Sequence, residues 1–91
     1  MISEKIILTP FSIVVDNVVV DVLEVLKTRL ISGDEYYHVV ARVNYKDIKS
    51  RSFTLDVKSM DELIIKLKVE VNKIKYIEYV YGINELRRLL T

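Results

Sequence analysis

The sequence predicts an α+β fold with an antiparallel sheet, built as a single domain over residues 1–91. The length fits one domain, since domains most often contain about 100–150 residues. Hydrophobic residues make up 51% of the chain and charged residues 30%, a balance typical of globular rather than disordered proteins. The spacing of apolar residues changes along the chain between the period of a strand and that of a helix, which indicates both element types.

The first elements are predicted to be a short strand and a helix. Lys5–Leu8 reads as a strand. Phe11–Val20 is compatible both with a hairpin that turns at Asp16-Asn17 and with the beginning of a helix. The helix is expected to end near Ile31, where Ser32-Gly33 supplies a stop signal. One helical face would carry its apolar residues, Val19, Val22, Leu23, Leu26 and Leu30.

Two strands follow, because apolar and polar residues now alternate. The alternation over Tyr37–Tyr45 and over Phe53–Val57 is typical of strands with one buried face. The polar segment between them, residues 46–50, predicts a turn. The two runs are therefore expected to form an antiparallel hairpin.

The second helix has the clearest signals. Ser59 and Glu62 have the spacing of a capping box, which marks a helix N-terminus. We expect the helix to end near Lys75, because Glu78 would otherwise fall within the apolar stripe. Tyr76–Tyr81 is then a strand, followed by a short helix over Ile83–Thr91. The predicted core stripe is Met60, Leu63, Ile64, Leu67, Val71 and Ile74.

The resulting order is β-α-β-β-α-β with a short C-terminal helix. This is the ferredoxin-like order, in which two helices cover one face of a four-stranded antiparallel sheet.

Composition excludes several kinds of site. The chain has no cysteine and one histidine, so thiolate zinc sites, disulfides and multi-histidine metal clusters are excluded. No nucleotide-binding or hydrolase motif occurs, so we expect a protein that is not an enzyme and binds no cofactor. Neither a targeting peptide nor a membrane span is predicted, which indicates a cytoplasmic location. Ile, Val and Leu supply 35 residues and glutamine is absent, a usage that resembles thermophile composition.

Surplus apolar and tyrosine side chains predict a protein partner. On the second helix Ile65 and Val69 lie opposite the core stripe, one turn apart. Tyr76, Tyr79 and Tyr81 exceed what a small core can bury, and tyrosine is favoured at interfaces. We therefore expect a homodimer or a stable complex with another protein, and assign these five residues to the interface.

A basic hairpin tip provides an alternative function. Arg42, Lys46, Lys49 and Arg51 are concentrated there, with Tyr45 and Phe53 beside them. Cations next to stacking aromatic rings are how sheet-based modules hold single-stranded nucleic acid. The net charge of +1 predicts weak, salt-dependent binding at most, so nucleic acid is the second choice.

The segment Phe53–Leu63, with Ile74, Ile77 and Val80 after it, resembles the end of ACT domains. The segment Ile31–Tyr37, a glycine turn followed by aromatic residues, resembles the beginning of the second strand in the similar module of Lrp-type regulators. These resemblances imply a ferredoxin-like regulatory domain, and with it a small-molecule sensor as a further alternative. The Pro-Gly loop that ligand-binding ACT domains carry after the first strand is missing, since Phe11 follows Pro10.

A competing resemblance is to the Pcc1-type subunits of the KEOPS tRNA-modifying complex. It is carried by a strand that ends at Asp56-Val57 and by the apolar spacing from Ser59 to Ile74. It implies a small dimerising α+β subunit that is not catalytic. Composition and resemblances together predict a non-catalytic accessory or regulatory subunit that acts by association with another protein.

Overall fold

The computed structural model describes residues 10–91 and the backbone of residues 2–6. Within these residues, six strands precede two helices. They are β1 (Ile2–Ile6), β2 (Phe11–Val15), β3 (Val18–Arg29), β4 (Glu35–Tyr45), β5 (Ile48–Lys49), β6 (Phe53–Val57), α1 (Met60–Tyr81) and α2 (Ile83–Leu90). The α+β class and the antiparallel sheet are thus confirmed.

The long strands β3 and β4 form the centre of the sheet. β1 and β2 pair with successive parts of β3, and β5 and β6 pair with successive parts of β4, all antiparallel. Between β3 and β4, Val20 lies opposite Val43 and Val25 opposite Val39. The hairpin of β3 and β4 forms the centre of the inner face of the sheet, and both helices pack on that face.

The helix predicted to end near Ile31 is wrong, because this segment is strand β3. Val18, Val20 and Val22 alternate on the buried face, and a register shift between Val22 and Glu24 interrupts that alternation. The displaced register makes the later leucines resemble a helical face. β-branched residues favour a strand here, since their side chains pack well on a pleated surface.

The hairpin interpretation of Phe11–Val20 is confirmed. Asp16 and Asn17 have φ angles of 48° and 65°, the left-handed conformation that a tight two-residue hairpin turn requires. Gly33, with φ of 94°, lies in the turn from β3 to β4 rather than at the end of a helix. The predicted strand Lys5–Leu8 overlaps β1, and its last two residues lie outside the described residues.

The two predicted strands Tyr37–Tyr45 and Phe53–Val57 are confirmed, the first as part of β4 and the second as β6, and they pair antiparallel with each other. The core side of the sheet is formed largely by valine. The buried hydrophobic residues are Val15, Val18, Val20, Val22, Val39, Ala41, Val43, Ile48, Val57, Leu63, Leu67, Val71, Ile74 and Leu86.

Helix α1 begins as predicted but continues beyond the predicted end. The backbone N–H of Glu62 donates to Ser59 Oγ at 3.2 Å, and the Glu62 carboxylate accepts from the Lys58 N–H at 3.1 Å. The predicted end near Lys75 and the strand Tyr76–Tyr81 are wrong, because the helix runs through this segment to Tyr81. Gly82, at φ 88°, ends it.

The final helix is confirmed as α2, with Leu86 fully buried against the core. All described strands precede the helices, so the ferredoxin-like order is not confirmed. Of the predicted core stripe on α1, Met60 is exposed, whereas Leu63, Leu67, Val71 and Ile74 are buried.

Candidate docking site on helix α1

Helix α1 has apolar residues on two opposite faces. One face packs on the sheet through its four buried residues. The other points away from the protein and carries Ile65, Val69, Tyr76 and Tyr79, which are 63%, 50%, 67% and 89% exposed. The second face is not needed to fill the core.

These outer residues follow a heptad spacing. The intervals between Ile65, Val69, Asn72, Tyr76 and Tyr79 are four, three, four and three residues, the repeat that keeps side chains on one seam of a helix. At 1.5 Å per residue the seam is about 21 Å long. We call these five residues the outer seam; Asn72, which is exposed, is its single amide.

The structure brings together four of the five residues predicted for the interface. Ile65, Val69, Tyr76 and Tyr79 belong to the outer seam, although the sequence placed the tyrosines on a strand. Tyr81 is 66% exposed but projects from the opposite side of α1, since its helical position repeats that of the buried Leu67 and Ile74. Tyr81 is therefore outside the seam.

Lysines flank the seam on both sides. In the heptad positions adjacent to the seam lie Lys66 and Lys73 on one side and Lys68 and Lys75 on the other. Of the four acidic residues of α1, Asp61 and Glu62 lie in the first turn, before the seam begins, and Glu70 and Glu78 lie toward the sheet side. The outer surface of α1 is thus an apolar stripe between two basic borders.

A contact with the β4–β5 turn holds the last turns of α1. The Tyr45 hydroxyl donates to Glu78 Oε1 at 2.7 Å, and Lys46 Nζ lies 2.9 Å from Glu78 Oε2. The hydrogen bond from Lys46, followed by the one from Tyr45, lowers the pKa of Glu78. Because Glu78 is paired in this way, it does not interrupt the helix as the sequence suggested.

The basic residues predicted for nucleic acid do not form one patch. Arg42 Nη2 lies 3.4 Å from Asp21 Oδ2 on the outer face of the sheet, and Lys46 is paired with Glu78. Lys49 and Arg51 are exposed. Tyr45 and Phe53 pack against the core, on the side of the sheet that carries the helices. Within the described residues, no aromatic ring lies beside all four of these basic side chains.

The outer face of the sheet carries a polar network around Asp21. Its carboxylate accepts from Ser12 Oγ at 2.6 Å and from Asn44 Nδ2 at 2.5 Å. The hydrogen bond from Ser12, followed by that from Asn44, lowers the pKa of Asp21. Three donors, with Arg42 as the third, occupy this carboxylate, which suits it to a structural role.

His38 lies on the same face, with Nδ1 2.6 Å from Asp56 Oδ1. Such a pair can orient an imidazole, but catalysis also needs a group on which the histidine acts. Within the described part of the chain the His38 side chain has no other hydrogen bond. Residues 10–91 contain no cluster of three acidic or histidine side chains that could hold a metal ion.

An apolar cavity of about 380 Å³ lies between the first turn of α1 and the inner face of the sheet. Carbon atoms dominate its walls, and the lining residues with polar side-chain groups are Tyr37, Lys58 and Ser59. Ser59 Oγ already caps α1. The cavity therefore has apolar walls without a set of converging polar groups. It is lined by Phe11, Val25, Tyr37, Val39, Val57, Lys58, Ser59, Met60 and Leu63.

Comparisons of the chain with protein-family models, curated proteins and solved structures found no match. The resemblances to ACT, Lrp-type and Pcc1-type modules accordingly stay predictions. In the described part of the chain, neither helix is both long and apolar enough to cross a bilayer.

Four of the five seam residues were predicted as interface residues, but they were divided between a helix and a strand, and Asn72 was missed. Reading the heptad from Ile65 onward would have continued it to Tyr79. The predicted helix end at Lys75 concealed that continuation, because it assigned Tyr76 and Tyr79 to a strand.

Proposed function

We propose that this protein is a non-catalytic accessory or regulatory subunit, and that it acts by docking to another protein through the outer seam of α1. The observation that carries the proposal is the exposure of Ile65, Val69, Tyr76 and Tyr79 along one side of a helix. Scattered exposed apolar residues are normal, but an aligned series marks a contact surface. Tyrosine and aliphatic side chains are also typical of interface cores.

Among the described residues, the fold gives the seam no partner. Leu63, Leu67, Val71 and Ile74 already bury the sheet-facing side of α1. The remaining helix, α2, packs through Leu86 on the same core. An apolar surface that the fold leaves in water is stabilised when a partner covers it.

The resemblances suggest two settings for such a subunit. Similarity to Pcc1-type subunits suggests a tRNA-modification complex, and similarity to ACT and Lrp-type modules suggests a regulatory complex. In both settings the chain contributes a surface rather than a reaction. Nucleic-acid binding is less well supported, because Lys46 and Arg42 are engaged by Glu78 and Asp21.

Two tyrosines on α1 provide a matched test. Tyr76 and Tyr81 are 67% and 66% exposed, but only Tyr76 belongs to the seam. Tagged wild-type protein, Tyr76→Ser and Tyr81→Ser are purified from the native host, and co-purifying proteins are identified by mass spectrometry.

We expect a stoichiometric partner with the wild type and with Tyr81→Ser, and its loss with Tyr76→Ser. Truncating a tyrosine at the centre of an interface often costs about 2–4 kcal/mol of binding free energy. Recovery of the same proteins with all three chains, or of the tagged chain alone, contradicts docking through the seam.

A further inference from the structure

The charges beside the outer seam restrict what can dock on it. In a pair of helices that meet along a heptad seam, the residues adjacent to the seam face those of the partner and set its identity and orientation. On α1 these positions are Lys66, Lys68, Lys73 and Lys75. What these charges imply about the partner rests on the docking function proposed above.

A second copy of α1 fits poorly in either orientation. In a parallel pair, Lys68 of one copy would face Lys73 of the other near the middle of the seam, and the one opposite-charge pair, Asp61 with Lys66, would lie at its beginning. In an antiparallel pair, each side would meet its own kind, so that Lys68 and Lys75 face each other. Like charges at such positions destabilise a helix pair.

Contacts within the chain engage three of these lysines. Lys66 Nζ lies 3.3 Å from Glu62 and donates to the Asp56 carbonyl at 2.6 Å, and Lys73 Nζ lies 3.3 Å from Glu70. Exposed ion pairs of this kind are weak and exchange readily for other partners. Lys75 donates to the backbone carbonyl of Asp16 at 2.6 Å, and within the described residues it has no carboxylate partner. Lys68 has no side-chain partner in the described part of the chain.

We propose that the outer seam binds an acidic amphipathic α-helix of another protein, with an apolar stripe bordered by Asp or Glu. Carboxylates on both borders would pair with the four lysines while the stripes pack together. A polar side chain opposite Asn72 would satisfy its amide, and a single buried amide of this kind sets the register of a helix pair. The same lysines disfavour self-association, so attraction and exclusion come from one set of residues.

Two synthetic helical peptides test this proposal. Each contains three heptads with Leu and Ile on the seam and one central Asn, and they differ only in carrying Glu or Lys at every position beside the seam. Binding of fluorescein-labelled peptide to the purified protein is measured by anisotropy at ~50 mM and ~500 mM salt.

We expect the Glu peptide to bind about tenfold more tightly than the Lys peptide at low salt, from four weak charge pairs acting together. High salt should reduce this preference, since exposed charges are screened. Exchanging all four lysines for glutamate should reverse it. A matched control, Lys49→Glu with Arg51→Glu, changes two exposed cations that do not belong to the outer seam or its borders and should retain the original preference. Circular dichroism confirms that each variant is folded.

Three outcomes overturn the proposal. The first is equal binding of the two peptides, or binding of neither. The second is a wild-type homodimer in sedimentation velocity that Tyr76→Ser dissociates and Tyr81→Ser does not. The third is binding of heparin as tightly as the Glu peptide and independently of Tyr76, which would show a general anion-binding surface.

These results separate the partner chemistry from the docking function. A homodimer through the seam refutes the acidic helix but retains docking by α1. A partner from the native host that Tyr76→Ser still retains refutes docking by the seam, whatever the peptides show.

Discussion

Leu67 and Val69 lie two residues apart on α1 and test whether its two apolar faces differ in kind. Leu67 is fully buried, whereas Val69 is 50% exposed. Truncating a buried leucine to alanine costs about 2–5 kcal/mol through lost burial and the remaining cavity. Exposed substitutions usually change stability by less than about 0.5 kcal/mol, and alanine is the better helix former.

The expected difference is a large part of the total stability. A chain of 91 residues is stable by about 5–14 kcal/mol, from 0.05–0.15 kcal/mol per residue. Leu67→Ala should therefore lower Tm by about 8–40 °C, given a loss of about 2–5 kcal/mol and about 4–8 °C per kcal/mol for a domain of this size. Val69→Ala should leave Tm within a few degrees of the wild type, on the order of 0.5 kcal/mol or less.

Urea unfolding followed by circular dichroism measures both variants, at ~1 µM and ~50 µM protein. The midpoint should fall for Leu67→Ala with an unchanged slope, which identifies a change in stability rather than in compactness. A loss above about 1.5 kcal/mol for Val69→Ala at both concentrations would refute the assignment of Val69 to a free surface. A loss confined to the higher concentration would instead reveal self-association through the seam.

Three further predictions concern the ends of α1. Because the pKa of Glu78 is lowered, its contact with Tyr45 and Lys46 should stabilise the fold at pH values above 4.5, the usual pKa of a glutamate. This stabilisation should be lost as the pH falls through the lowered pKa, so the Tm difference between wild type and Glu78→Gln should shrink from pH 7 to pH 3. Gly82→Ala should lower the free energy of unfolding by about 1–3 kcal/mol in urea, because φ 88° and ψ 169° suit only glycine although space for a Cβ is open. Ser59→Ala should cost about 0.5–2 kcal/mol by removing the cap of α1, and Ser59→Asp should restore most of it in the same assay.

The elements that were predicted correctly are those whose sequence signals all lie close together and indicate the same structure. The start of α1 depends on Ser59 and Glu62, three residues apart, and strand β4 on an uninterrupted alternation from Tyr37. Each of these signals lies within a few residues, so an isolated sequence contains all the information needed. The terminal helix around Leu86 follows the same rule.

Strand β3 was misread because its sequence satisfies two periods. Val18, Val20 and Val22 alternate, but the register shift before Glu24 displaces the following residues onto a pattern that also fits a helix. Pairing with β4 along ten residue pairs decides between the two, and that pairing is a property of the folded chain. Tertiary context overrides a local pattern of this kind.

The extent of the outer seam depends on a contact that no local pattern contains. Glu78 meets Tyr45 and Lys46, which are more than 30 positions away in the sequence. Without these partners a carboxylate at this position would face the core, which is why the sequence suggested an end near Lys75. With them, the helix continues and adds Tyr76 and Tyr79 to the seam.

The same contact joins the stability of the fold to the proposed docking surface. If α1 ended at Lys75, the seam would contain Ile65, Val69 and Asn72 alone, a stripe too short for two heptads. The last turns contribute the two tyrosines, the largest side chains of the seam, and the turn after β4 holds those last turns in place. The charge of Lys46 is used in this contact rather than left free for nucleic acid, whereas the lysines along the outer side of α1 make weak exposed ion pairs, a backbone contact or, for Lys68 among the described residues, no side-chain contact. One lysine, together with Tyr45, therefore supports the helix that presents the seam, and in our proposal four others select what binds to it.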